Sequence, residues 1–361
     1  MNRAVFILLI LVFSPAASLI SGAQETNVPI IKYRSVPDFL KLPSDVYLGE
    51  AAGVATNSKG HVFVFSRGNS TGPAYGAAAA QLLEFDPQGN YLREIGHNLY
   101  AWSYAHTVKV DHEDNIWVTD KGSDMVVKFN PAGRVVMVFG RKQEASDAGT
   151  APLRHSSPPL PPIDGMFRQV TDVAWDEAGN AYISDGYINS RVAKVDKDGR
   201  WLKSWGEFGD QPGQFNGPHS IAVDKQGSVY VADRSNHRIQ VFDSDGKLLR
   251  MITIDIPAAA DANPAIGGDP TDEVGIMRPG SPWAICITPG PQQVLFAADA
   301  FPGRIYELSL DGRVLGMFGE SGKQLKQFGW IHEIACPSPT ELYVGELLNW
   351  RVQKLILEPL N

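Results

Sequence analysis

Histidine supplies the first chemical signal. His106, His219 and His332 follow one another at intervals of 113 residues, and each lies 14 residues before an acid that closes a short apolar run. Those acids are Asp120 in IWVTD, Asp233 in VYVAD and Glu346 in LYVGE. The chain has only 8 histidines in 361 residues, so a shared offset in three places marks equivalent positions in a repeat. Three neutral imidazoles converging on one point, with a fourth position open, form the ligand set of a catalytic zinc. Such an ion polarises an alcohol or water, or holds a carbonyl. Three more residues break the repeat on the same rim. Arg67 is read as standing where five other units carry Asp or Glu, Arg234 directly follows Asp233, and Tyr187 comes two residues after Asp185. Guanidinium groups pair with carboxylates in a bidentate fork. A tyrosine beside a metal and two arginines is a candidate general base. The set points to a small substrate bearing a carboxylate.

The elements that must position these side chains are short strands. Gly213 to Ile252 reads as four apolar runs separated by the Asp/Gly turns DKQG and DSDG, which predicts four strands joined by hairpins. Related units end at Arg67, Asp120, Asp185, Asp233, Asp299 and Glu346, with steps of 53, 65, 48, 66 and 47 residues. That is a propeller-blade period with inserted loops at Ser146 to Gly165 and Ala258 to Ser281. Six anchors predict an all-β, six-bladed β-propeller, in which each histidine begins the innermost strand of every second blade. The same offset in the other blades falls on Gly53, Thr171 and Ile285. Arg191, Arg238, Arg304 and Arg351 recur five or six residues after the blade acid and read as structural ion pairs. Through Asp233 to Phe242, with the pattern D-x-x-N-x-R-I-x-x-F, the unit resembles the NHL repeat.

Composition bounds the rest. The chain is 43% hydrophobic and 20% charged, with a formal charge of −8, so it is globular and poorly suited to nucleic acid or anionic membranes. Residues 1–23 carry a short polar start, an apolar run from Ala4 to Phe13 and the small residues Ser21-Gly22-Ala23. They read as a secretory signal peptide, which predicts a secreted or periplasmic protein with no membrane association after cleavage. Residues 24–48 form an N-terminal segment, with a ring-closing strand expected between about Tyr33 and Leu42, and 49–361 form the propeller. A monomer is expected. Cys286 and Cys336 are either paired or simply buried. Asn69-Ser70-Thr71 is a glycosylation sequon if the host is eukaryotic.

Taken together, FSRGN around Arg67, SDGYINSR around Tyr187, GPHSIAV around His219, VADR ending at Arg234 and IHE around His332 resemble the peptidyl-α-hydroxyglycine α-amidating lyase family over about Gly49 to Leu355. The resemblance implies zinc on His106, His219 and His332, Tyr187 as catalytic base, and Arg67 and Arg234 as functional arginines. It also implies a structural calcium on the main-chain oxygens of Ala51 and Val108 and on the Glu333 carboxylate. The implied reaction cleaves a peptidyl- or N-acyl-α-hydroxyglycine to an amide and glyoxylate, so the partner is a small carboxylate or a peptide C-terminus. Two departures stand out. Trp330-Ile331-His332-Glu333 replaces Met-Pro-His-Asp, which leaves Glu333 a second role in orienting the site, and Ile188 replaces the cysteine beside the tyrosine. The copper monooxygenase domain that makes the hydroxyglycine in that family is not expected here. Two other readings stay open: a non-enzymatic NHL binding scaffold, and a metal-dependent propeller hydrolase of lactonase type.

Overall fold

Hairpins are set locally by Asp-x-x-Gly turns. At Asp224 the carboxylate accepts the backbone N–H groups of Gln226 and Ser228 at 2.9 and 2.8 Å, and Gly227 N–H returns to the Asp224 carbonyl at 2.9 Å. Gly227 has φ 83°, a left-handed conformation that only glycine adopts without strain. The same clamp recurs at Asp86, Asp176, Asp196 and Asp243. Between such turns the runs are short, apolar and β-branched, and they form antiparallel strands.

The computed structural model describes residues 28–68, 80–142, 160–262 and 277–360. Residues 1–23, read from sequence as a signal peptide, and the sequon lie outside the described residues, as do parts of both inserted loops. The strands form six four-stranded antiparallel sheets, which makes a six-bladed, all-β propeller. Innermost in the blades are Ala51–Thr56, Ala105–Val110, Asp172–Trp175, Pro218–Val223, Ala284–Ile287 and Ile331–Ser338. Each of these contacts the first strand of the next blade, and the last contacts the first, so they enclose one axial channel. Blade 6 takes its three inner strands from the C-terminal end of the chain, and Tyr33–Val36 pairs onto Arg351–Leu357 as its outer edge. That exchange covers an edge strand and ties the two ends of the chain together.

The hydrophobic core is not central. It divides into six clusters, and each joins two neighbouring blades. A blade therefore buries its faces only by packing on its neighbours, which is why the ring must close. Second strands such as Val229–Asp233 are wholly buried, whereas the outer strand Leu248–Ile252 alternates toward solvent. The blade acid then locks each unit from within. Asp185, Asp233, Asp299 and Glu346 pair with Arg191, Arg238, Arg304 and Arg351 at 3.1, 2.8, 3.7 and 2.8 Å. The same acids, and Asp120, accept backbone N–H groups from the loop entering the blade, as Ser103 N–H to Asp120 at 2.8 Å and Asn216 N–H to Asp233 at 2.8 Å show.

Cys286 and Cys336 form a disulfide between the first strands of blades 5 and 6, with a Cα–Cα distance of 6.2 Å. It closes a 50-residue segment. Because such a link restricts the unfolded chain, Cys286→Ala/Cys336→Ala is expected to lower the unfolding free energy by about 2–4 kcal/mol, read from denaturant melts.

Candidate metal centre and active site

Each histidine of interest sits at a backbone irregularity. The pairing of first and second strands slips by one residue between Ala105 and Thr107, between Pro218 and Ser220, and between Ile331 and Glu333. The extra residues are His106, His219 and His332. A bulge re-aims a side chain that regular alternation would direct elsewhere. Blades 3 and 5 have no such slip, and blade 1 has one at Ala52. The equivalents in the odd blades are therefore Ala52, Thr171 and Trp283. Counting residues gives Gly53 and Ile285 for two of these: the blade 1 count starts from Arg67 rather than Ser66, and the blade 5 hairpin between Ile287 and Leu295 is longer than its counterpart between Val110 and Ile116.

The odd blades supply the counterpart. His106 Nδ1 lies 2.7 Å from the Thr171 carbonyl, His219 Nδ1 lies 2.7 Å from that of Trp283, and His332 Nδ1 lies 2.7 Å from that of Ala52. Every even blade thus donates to the blade that follows it, three times around the ring. A carbonyl only accepts, so the proton is on Nδ1 and Nε2 is unprotonated. Ring centroids are 4.8, 4.7 and 4.9 Å apart, and one ligand nitrogen from each ring lies within 4.8 Å of the others. His219 Nε2 is buried and has no hydrogen-bond partner among the described residues. All three imidazoles are almost wholly buried. Burial pushes each well below the ordinary histidine pKa, and neighbouring histidines and the Arg67, Lys121 and Arg234 cations push the same way. Neutral rings, fixed tautomers and an orphaned buried nitrogen fit a divalent metal with nitrogen preference such as zinc.

Tyr187 reaches this cluster because of the residue before it. A Cβ on Gly186 would lie 1.9 Å from the Pro218 carbonyl oxygen, so only glycine lets the loop pass so close to the His219 strand. The Tyr187 hydroxyl lies 3.3 Å from His106 Nε2, and its ring is 5.6 and 6.0 Å from the rings of His106 and His219. Burial alone would raise the phenol, but Lys121, Arg234 and Arg67 outweigh it and hold its pKa below 10.

Arg67 does not occupy the acid position. Ser66 does: it pairs with Ala51 as Asp120 pairs with Ala105, and its hydroxyl accepts Gly49 N–H at 3.2 Å in the manner of the blade acids. Arg67 is instead the residue after that position, equivalent to Lys121 and Arg234. These three cations from blades 1, 2 and 4 face the histidine end of the channel. Arg67 pairs with Glu50 at 2.6 Å, donates to the Ala105 carbonyl at 2.9 Å and lies over the Tyr104 ring. Arg234 lies over the Trp283 ring at 4.2 Å and near the Tyr187 ring at 5.4 Å, and its Nε is buried without a partner among the described residues. The Lys121 ammonium is 3.8 Å from the Tyr187 ring centroid. Lys121 is hidden in the sequence because blade 1 carries Ser66 where the other blades carry an acid, which makes Arg67 look like the substituted position. Setting Ser66 beside Asp120 and Asp233 would have exposed it.

The expected calcium ligands fare differently. Glu333 Oε1 accepts from Lys109 Nζ at 2.8 Å, and the same ammonium is 3.6 Å from Asp172 Oδ2. Lys109 directly follows Val108, and Ala51 is on the neighbouring first strand. A carboxylate already engaged by an ammonium does not fit calcium, which needs six to eight oxygen ligands.

Two outcomes follow from the imidazole arrangement. His219→Ala should lose bound zinc, measured by atomic emission after dialysis. Because the free rings titrate below 6.5, acid release of the metal should have its midpoint below that pH.

Comparison with known proteins bears on the fold and the relatives. The profile described as "NHL repeat" matches residues 215–242. The chain is 32% identical over 238 residues to peptidyl-glycine alpha-amidating monooxygenase of Mus musculus, covering 59% of this chain and 22% of that protein. It is 33% identical over 218 residues to NHL repeat-containing protein 3 of the same species, covering 56% and 54%. With peptidyl-alpha-hydroxyglycine alpha-amidating lyase 1 of Drosophila melanogaster it shares 25% identity over 391 residues, covering 93% and 65%. In each case the chain spans less than two thirds of the relative's length. Among solved structures, a streptogramin B lyase superposes with TM-score 0.54 at 13% identity over 91% of this chain and 97% of the other, a likeness of fold alone. The chain is a six-bladed β-propeller with an NHL repeat at residues 215–242, and its sequence relatives include proteins named as peptidyl-α-hydroxyglycine α-amidating lyases.

Proposed function

We propose that this propeller is a zinc-dependent carbon–nitrogen lyase that converts an N-acyl- or peptidyl-α-hydroxyglycine into an amide and glyoxylate. The observation that carries the reading is the convergence of three metal-ready Nε2 atoms with a tyrosine whose hydroxyl is 3.3 Å from one of them. His106, His219 and His332 would hold the ion, which when bound supplies Lewis acidity toward a hydroxyl or carboxylate.

The remaining work falls to the chain's own groups. Arg67, Lys121 and Arg234 present positive charge to a substrate carboxylate. Tyr187 takes the proton from the α-hydroxyl oxygen. The oxygen's electron pair closes to a carbonyl, the C–N bond breaks, and the amide nitrogen acquires a proton, so the products are the amide and glyoxylate with no net change in protons. Cations around Tyr187 favour its phenolate, the form that can accept a proton near neutrality. The aromatic wall of Trp283 and Trp330, 5.0 Å apart, limits water beside His219.

A lactonase-type hydrolase would call for carboxylates around its metal, and the all-imidazole set disfavours it. A binding scaffold would not require matched histidine tautomers in alternate blades, and it would purify with substoichiometric zinc. The disulfide favours an oxidising compartment, consistent with secretion or a periplasm. No helix among the described residues is long and apolar enough to cross a membrane.

Glyoxylate release from N-acyl-α-hydroxyglycine, abolished by a zinc chelator and restored by zinc, tests the reading; no release from the zinc-loaded protein would refute it. Tyr187→Phe should retain zinc and lose about 10²–10⁴ in kcat. In the wild type, kcat/KM should rise with pH to a midpoint below 10, as the phenol ionises. Lys121→Met should raise KM about tenfold for the carboxylate substrate, with a smaller change for its amide.

A further inference from the structure

The channel has a second charged layer next to the histidines. Asp172 follows the residue whose carbonyl orients His106, Glu333 follows His332, and Lys109 lies three residues beyond His106. These are first-strand residues of blades 3, 6 and 2. Asp172 is wholly buried and Glu333 is 1% exposed.

Their partners are unequal. Asp172 has neutral donors: Val173 N–H at 2.8 Å, Ser220 hydroxyl at 2.8 Å and Ile221 N–H at 3.0 Å. Glu333 has the Lys109 ammonium at 2.8 Å and a hydrogen bond from the Thr107 side chain. A carboxylate this deep requires a counter-cation, because removing one partner of a buried pair leaves an uncompensated charge. Lys109 is the described cation that meets this need, and it also faces Asp172. An ammonium has three donors and no acceptor, so it cannot ligate a metal and would repel one. The ammonium is tethered to the blade 2 strand, so its position does not depend on ion concentration. Beyond it, at the far ends of the first strands, a cavity of about 740 Å³ lined by Lys109, Val54, Val223 and the disulfide opens to solvent. Calcium would therefore have access to the layer, and it is local charge, not lack of a route, that would decide its binding.

We propose that the Lys109 ammonium is the resident cation of this layer, holding Glu333 and Asp172 in the place where the family resemblance leads one to expect calcium, so that this propeller ties blades 2, 3 and 6 together without a second metal. The proposal goes beyond the lyase reading and does not depend on it, because its readouts are metal content and stability.

The test uses the full-length protein. The wild type, gel-filtered in buffer containing calcium chloride and then in calcium-free buffer, should retain no stoichiometric calcium by atomic emission, and neither EGTA nor added calcium should move its Tm. One calcium per chain, or a Tm that falls with EGTA and recovers with calcium, would overturn the proposal. Lys109→Gln should melt several degrees lower than wild type in EGTA and gain part of that loss back on calcium addition. A Lys109→Gln protein as stable as wild type in EGTA would also overturn it. If Lys109→Gln fails to fold, Lys109→Gln/Glu333→Gln, which removes both members of the close pair, should fold; failure of the double variant would count against the proposal.

Discussion

The hydrogen bond from a histidine Nδ1 in one blade to a main-chain carbonyl in the next is the constraint on which this structure depends. Each bond, 2.7 Å long, does two things at once. It fixes the imidazole tautomer, leaving Nε2 unprotonated, and it sets the direction in which that nitrogen points. The carbonyl must be at the right height in the neighbouring blade, so the site requires a closed ring with blades in strict order. Rings and orienting carbonyls therefore alternate around the six blades. Even blades carry a bulged histidine; odd blades carry Ala52, Thr171 or Trp283 as acceptors.

Charge is layered along the channel. Arg67, Lys121 and Arg234 form a cationic mouth from equivalent positions, the neutral imidazoles occupy the middle, and Lys109 with Glu333 and Asp172 lies beyond. The mouth favours an anionic substrate and an ionised Tyr187, whereas burial of the middle layer keeps the rings neutral and able to ligate. These demands conflict for any single side chain, and the propeller separates them: the mouth cations follow second strands, whereas the imidazoles and the deeper charged residues lie on first strands. Neighbouring side chains on one strand thus serve different layers, as His332 and Glu333 do.

Much of this was legible in the sequence, and what was missed has physical causes. The blade period, the six units and the equivalence of the three histidines all follow from regular spacing, because each blade repeats one hydrogen-bonded unit. The arginine pairs were likewise readable from their constant offset to the blade acid. The bulges were not, because an extra residue in one strand leaves no compositional mark; nor was the longer blade 5 hairpin between Ile287 and Leu295, which moved the counted equivalent from Trp283 to Ile285. In blade 1 the acid is replaced by Ser66, whose hydroxyl takes over the backbone contact, so the adjacent Arg67 was mistaken for the substituted position and its kinship with Lys121 was hidden. Lys109 was invisible for another reason. Its partner Glu333 is 224 residues away in sequence, and only ring closure brings them together. The pairing of Cys286 with Cys336 was open for a different reason: it needs the first strands of two consecutive blades to bring residues 50 apart in sequence side by side.

The central claim is that three oriented imidazoles share one metal ion at the channel axis. Zinc-edge X-ray absorption on the protein loaded with a single equivalent of zinc reads that directly. The expected result is a shell containing three imidazole nitrogens at about 2.0–2.1 Å, with any remaining position filled by oxygen. A shell with fewer than three imidazoles, or one containing sulfur, would contradict it.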